Sequence, residues 1–189
     1  MTPTPVPTTN TTVHLDGFEG TMSPEWTTSV TSTTPLGSRA YLGQFSENDV
    51  ASLSLTGLDT HTEAKVSFEL FVIGDWDCED GTLGPDGWSL TIDSGTQRID
   101  TTFSNASALQ GWDGIFSSSG NTARTGLDEQ DTLGYTADSV YNLSFTFPHT
   151  ASSISLDFAG SGLDLADETW GLDNVEVELI NQPARDPIR

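Results

Sequence analysis

The chain has 189 residues, enough for one well-cored domain, and all-β sandwiches of this length are common as single units. Its formal net charge of −22, with Lys65 as its single lysine, excludes nucleic-acid binding and attraction to an anionic membrane, both of which need clustered basic side chains. Asp outnumbers Glu, which points to loops rather than helices, because Asp competes with the backbone for hydrogen bonds. A surface this acidic also suits a secreted or salt-exposed setting.

Residues 1–12 are uncharged and rich in Thr and Pro, the composition of a semi-rigid linker between modules. A single β-sandwich domain is expected over 13–180, followed by a tail over 181–189. Short strand candidates lie at Val13–Asp16, Trp26–Thr31, Ala40–Phe45, Val50–Thr56 and Arg98–Phe103. Clearer alternation of apolar and polar residues marks Trp88–Ile92, Tyr141–Phe147, Ile154–Phe158 and Val175–Leu179. Val66–Ile73 begins by alternating and then becomes apolar on both faces, as a central strand would. No segment holds a helical period. The expected fold is therefore all-β, a two-sheet antiparallel sandwich, most simply a jelly roll.

Between Ile73 and Trp88 runs Gly74-Asp75-Trp76-Asp77-Cys78-Glu79-Asp80-Gly81 and then Gly84-Pro85-Asp86-Gly87, with no basic residue in it. Carboxylates so close repel unless a cation sits among them. Oxygen ligands on a Gly-rich connection suit a hard divalent ion, so Asp75, Asp77, Asp80 and Asp86 are candidate calcium ligands. A solvated acidic loop is the competing reading. The EF-hand spacing is missing, and zinc lacks a Cys or His cluster. Cys78 is the sole cysteine, so no internal disulfide forms, and its acidic neighbours disfavour a reactive thiolate.

The chain ends carry a second acidic pattern. Leu15-Asp16-Gly17-Phe18-Glu19-Gly20 opens the domain and Glu168-Thr169-Trp170-Gly171-Leu172-Asp173-Asn174-Val175 closes it. Together they resemble the two ends of calcium-stabilised jelly-roll carbohydrate-binding modules and related galactose-binding-like domains. That resemblance implies Glu19 and Asp173, with Asp16, as ligands of one structural ion.

Further segments resemble a kind of module that recurs in bacterial cell-surface and secreted proteins. They are Tyr41-Leu42-Gly43-Gln44-Phe45, Leu53-Ser54-Leu55, Val66-Ser67-Phe68-Glu69-Leu70, Gly74-Asp75-Trp76-Asp77, Pro85-Asp86-Gly87-Trp88, Thr102-Phe103-Ser104-Asn105 and Leu143-Ser144-Phe145. The resemblance covers nearly the whole chain and implies a surface module rather than a reaction. Cys78-Glu79 departs from it, since such modules tend to have Gly straight after Asp77.

Trp76, Trp112 and Tyr135 lie in Gly/Asp-rich loops, where exposed aromatic faces could stack on sugar rings while neighbours such as Asp113 bond hydroxyls. Trp26, Trp88 and Trp170 read as core anchors, and the competing reading of Trp76 and Trp112 is that they too pack inward, Trp76 under its own loop. No nucleophile elbow is present, and the paired acidic strand motif of sandwich glycosidases is missing. The expected function is non-catalytic: an extracellular or cell-surface module, flanked by other modules, that recognises a glycan or another surface protein. A structural building block of a fibre, surface layer or capsid is the alternative, and a polysaccharide-cleaving domain the third.

Overall fold

The computed structural model describes residues 8–77, 85–106, 109–112, 120–164 and 167–181. Thirteen strands run in chain order through β1 (Thr9–Asp16), β2 (Thr31–Thr33), β3 (Ala40–Phe45), β4 (Val50–Thr56), β5 (Glu63–Gly74), β6 (Gly87–Ile92) and β7 (Thr96–Thr102). They continue through β8 (Leu109–Gln110), β9 (Asn121–Thr122), β10 (Glu129–Gln130), β11 (Asp138–Pro148), β12 (Ser153–Ser161) and β13 (Glu168–Asn181). Among the described residues there is no α-helix, and every named strand pairing is antiparallel.

The strands form two large sheets. One has the order β10-β11-β5-β13-β3-β2, with β1 also on β13; the other has the order β4-β12-β6-β7. The chain passes from one to the other between β3 and β4, β4 and β5, β5 and β6, β7 and β10 (by way of the separate β8–β9 pair), β11 and β12, and β12 and β13. This is the two-sheet antiparallel sandwich that the alternation called for. Inward residues of β4 (Ala51, Leu53, Leu55), β12 (Ile154, Leu156, Phe158) and β6 (Trp88, Leu90, Ile92) meet Val66, Phe68, Leu70 and Val72 of β5 and Leu172, Val175 and Val177 of β13 in one core. Trp88 and Trp170 cross edge-to-face at 5.9 Å between the sheets. Such rings bury a large apolar area and lock the spacing of the two layers.

The second face of β5 explains its double-sided apolar run. Phe71 and Ile73 point away from the main core and are covered by Tyr41, Leu133 and Val140, with Tyr135 packed on them. This small outer core lies over the end of β5 and supports the loop that follows β10.

The sandwich begins earlier than composition indicated. β1 starts at Thr9, inside the Thr/Pro-rich segment, with Thr9 opposite Asn181, Thr11 opposite Leu179 and Asp16 opposite Val175. Side chains of Thr9–Thr12 are exposed, so no apolar alternation announces them. Backbone pairing and the β-branched shape of Thr make the strand. A chain beginning at Val13 loses these rungs and should melt several degrees lower, at about 2–4 °C per kcal/mol lost for a domain of this size; equal midpoints would show that the rungs contribute nothing.

Candidate functional site

Three carboxylates from distant parts of the chain converge at one end of the sandwich. Asp77 follows β5, Asp86 immediately precedes β6, and Glu168 is the first residue of β13. One ligand oxygen from each lies within 4.8 Å of the others, the one such group among the described residues. Asp86 is fully buried and Glu168 is only 5% exposed. The backbone N–H of Asp77 donates to Asp86 Oδ2 at 2.6 Å, and that of Asp164 donates to Glu168 Oε2 at 2.5 Å.

The end of β5 is shaped to reach this cluster. Glu168 stands opposite Gly74 in the β5–β13 ladder. Gly74 has φ 94°, and a Cβ there would lie 1.6 Å from the Asp167 carbonyl oxygen, so only glycine fits. Asn105 holds the strand end from the side: its amide donates to the Val72 and Gly74 carbonyls, each at 3.0 Å, while its Oδ1 accepts from Ser139 at 2.6 Å.

Burial is the largest influence on Glu168, and the nearby Asp86, Asp167 and Asp77 charges add to it, against the Asp164 N–H. Together they push its carboxyl from the ordinary 4.5 up to about 7. Carboxylates this close repel one another, and either a proton or a cation relieves that repulsion. All three donors are carboxylate oxygens with no nitrogen or sulfur, a set that suits a hard ion of the calcium type.

Asp75 is exposed and stands on the rim of an open cleft of about 520 Å³ beside this cluster. Gln44, Gly74, Tyr135, Thr136, Asp167 and Thr169 also line it. Tyr135 is half-buried and fixed at both ends. Buried Asp138 accepts the backbone N–H groups of Leu133, Gly134 and Tyr135 at 3.0–3.1 Å, and the Tyr135 hydroxyl meets that of Tyr41 at 2.7 Å. Burial and the Tyr135 contact push the Tyr41 phenol far above its ordinary range, so it stays neutral.

The two tryptophans expected as exposed platforms are core residues instead. Trp76 is fully buried and donates through Nε1 to the Thr169 carbonyl at 3.1 Å. Trp112 is 4% exposed and packs 5.8 Å from Phe103. Gly/Asp-rich composition marks the loops but not the direction of their side chains. The loop carrying Trp112 is folded inward by buried Gln110, which donates to the Trp112 and Thr125 carbonyls and accepts from the Ser104 and Arg124 N–H groups. Asp80 and Asp113 lie outside the described residues.

The acidic residues at the chain ends are engaged by protein donors. Asp16 accepts the backbone N–H groups of Phe18 at 3.0 Å and Ser23 at 3.1 Å, and exposed Glu19 accepts that of Ala40 at 2.8 Å. Asp173, 4% exposed, is paired with Arg39 at 3.1 Å. Burial raises its carboxyl above the usual range while the Asn174 N–H and Arg39 oppose the rise. Arg39 also pairs with Glu69 and lies 4.7 Å over the Phe71 ring. The positive charge beside Asp173 is thus a guanidinium, where the resemblance implied an ion. Glu168, which joins Asp77 and Asp86 instead, was not singled out in the sequence as a ligand. Its signal was its place in the acidic closing segment.

No family model and no curated protein matches this sequence. Among solved structures, the dimeric latent PorU of Porphyromonas gingivalis is similar with a TM-score of 0.50 and 16% identity, over 93% of this chain and 13% of that one. The chain thus spans a small part of that protein's length. The CBM22-1 xylan-binding domain of Paenibacillus barcinonensis Xyn10C gives 0.45 and 15%, over 92% of this chain and 97% of that domain. A cleaved adhesin domain of Lys-gingipain from Porphyromonas gingivalis gives 0.40 and 13%, over 90% and 99%. At such identities a likeness concerns the fold.

Because folding raises the Glu168 pKa, the stability tied to its proton is complete below the ordinary 4.5 and is lost as pH rises through about 7. In chelator, the melting temperature should therefore fall across that window, and Glu168→Gln should flatten the fall. An unchanged slope in the variant would contradict the assignment.

Proposed function

We propose that this chain is a non-catalytic, extracellular, calcium-stabilised jelly-roll module that recognises carbohydrate, as part of a longer secreted or surface protein. The observation that carries the reading is Tyr135, a half-exposed ring held rigid by Asp138 and Tyr41 at the side of an open cleft. A fixed aromatic face loses little entropy on stacking against a sugar ring. Asp75, Gln44, Thr136 and Thr169 around it supply hydrogen-bonding groups for hydroxyls.

Calcium enters through Asp77, Asp86 and Glu168, which would hold it, and its charge would neutralise the cluster. The ion would join β5, β6 and β13 beside the cleft and stiffen the Asp75 rim. The strong negative charge and the Thr/Pro-rich start support an extracellular setting and flanking modules.

Binding to immobilised plant and bacterial polysaccharides, read by affinity electrophoresis with calcium present, tests the reading. Tyr135→Ala should weaken retardation by about tenfold, the size of one aromatic contact, while Tyr135→Phe should retain most of it. Retardation unaffected by Tyr135→Ala would move the site elsewhere. Ordered polymers with no glycan retardation would favour the building-block alternative.

A further inference from the structure

At the opposite end of the sandwich, where β5 begins and β6 ends, His61 and His149 form a buried pair with a forced hydrogen-bond direction. His61 lies in the β4–β5 connection and His149 follows β11; they are 3% and 7% exposed. His61 Nδ1 is 2.6 Å from the Asp59 carbonyl oxygen, which can only accept, so Nδ1 carries a hydrogen. The other nitrogen of a neutral His61, Nε2, is then a lone pair, and it lies 2.6 Å from His149 Nδ1. His149 Nδ1 must therefore donate. In the neutral ring this leaves His149 Nε2 as a bare lone pair, buried and without a hydrogen-bond partner.

That lone pair faces a carboxylate. Asp93, in the β6–β7 turn, places Oδ2 3.4 Å from His149 Nε2. Two acceptors opposed in this way call for a cation between them. The spacing is longer than an imidazolium–carboxylate hydrogen bond, which is about 2.7–2.9 Å. It agrees with two ligands each about 2.0–2.1 Å from one tetrahedral ion, whose donor atoms stand about 3.3 Å apart.

Both ligands are already oriented. Asp93 Oδ1 accepts the Ser155 N–H at 3.0 Å, and the His149 ring lies nearly coplanar with its hydrogen-bonded partner His61, centroids 4.9 Å apart, and is set edge-on to Phe147. The Asp93 side chain is 47% exposed, which leaves the remaining positions open to water.

We propose that His149 Nε2 and the Asp93 carboxylate form an open site for a divalent transition ion of the zinc type, with His61 as the positioning residue that fixes the His149 tautomer. Imidazole nitrogen selects such ions over calcium, so this site is chemically distinct from the carboxylate cluster and independent of it. A bound ion ties the β6–β7 turn of one sheet to the end of β11 in the other.

Zinc chloride titrated calorimetrically into the whole chain, with calcium in excess to fill carboxylate sites, should show one micromolar site. His149→Gln and Asp93→Asn should each weaken it at least tenfold, and His61→Gln by about tenfold through loss of orientation. An isotherm unchanged by His149→Gln would overturn the proposal, since zinc would then be held by the acidic surface. Imidazole nitrogen spectra of the unsubstituted chain at about pH 7.5 give a readout free of folding defects. Zinc should move the His149 Nε2 signal and leave Nδ1 protonated. An Nε2 that already bears a proton and ignores zinc would overturn the site in favour of a proton bridge.

Discussion

Repulsion among Asp77, Asp86 and Glu168 is the constraint around which this end of the sandwich is organised. The β5–β13 ladder sets Gly74 against Glu168, and the connection to β6 returns Asp86 to the same place, so fold closure itself brings the carboxylates together. Burying ionised groups is costly, and backbone N–H groups donate to Asp86 and to Glu168. Burial and the neighbouring carboxylates still displace the Glu168 pKa upward, and a divalent cation would oppose that displacement.

The acidic residues of β13 are handled differently a few residues on. A bulge in the β5–β13 register after Asp173 turns the strand, with Asn174 at φ 51°, and sets Asp173 beside Arg39. Arg39 is also supported by Glu69 and the Phe71 ring. Within one strand, Asp173 is thus neutralised by protein, while Glu168 at its start joins the carboxylate cluster. The same outer face carries the small core of Phe71, Ile73, Leu133 and Val140 that supports Tyr135, so cleft, arginine network and carboxylate cluster share β5 and β13 as their frame.

Much of the frame was legible in the sequence because one-sided burial writes itself as alternation. Ala40–Phe45 and Val50–Thr56 are strands with those bounds, and the apolar run to Ile73 is a central strand covered on both faces. Thr9–Thr12 was not legible, since an exposed strand held by backbone pairing leaves no apolar trace. Tryptophan direction was not legible either: Trp76 and Trp112 share a loop composition with exposed binding residues, yet Thr169, Phe103 and Gln110 draw them inward. Asp77 and Asp86 could be seen as neighbours, but Glu168 joins them only through strand register, which no local pattern encodes. The His61–His149 contact is hidden for the same reason.

The most direct measurement is the melting midpoint of the whole chain near pH 8, in calcium and then in chelator, for the unsubstituted protein and for Asp86→Asn. An ion bound to the folded chain alone stabilises by mass action, by about 2.7 kcal/mol at a hundredfold excess over its dissociation constant. The account predicts a calcium-dependent rise of several degrees that Asp86→Asn abolishes. Identical midpoints in calcium and chelator would contradict it, leaving a shared proton as the means by which these carboxylates coexist.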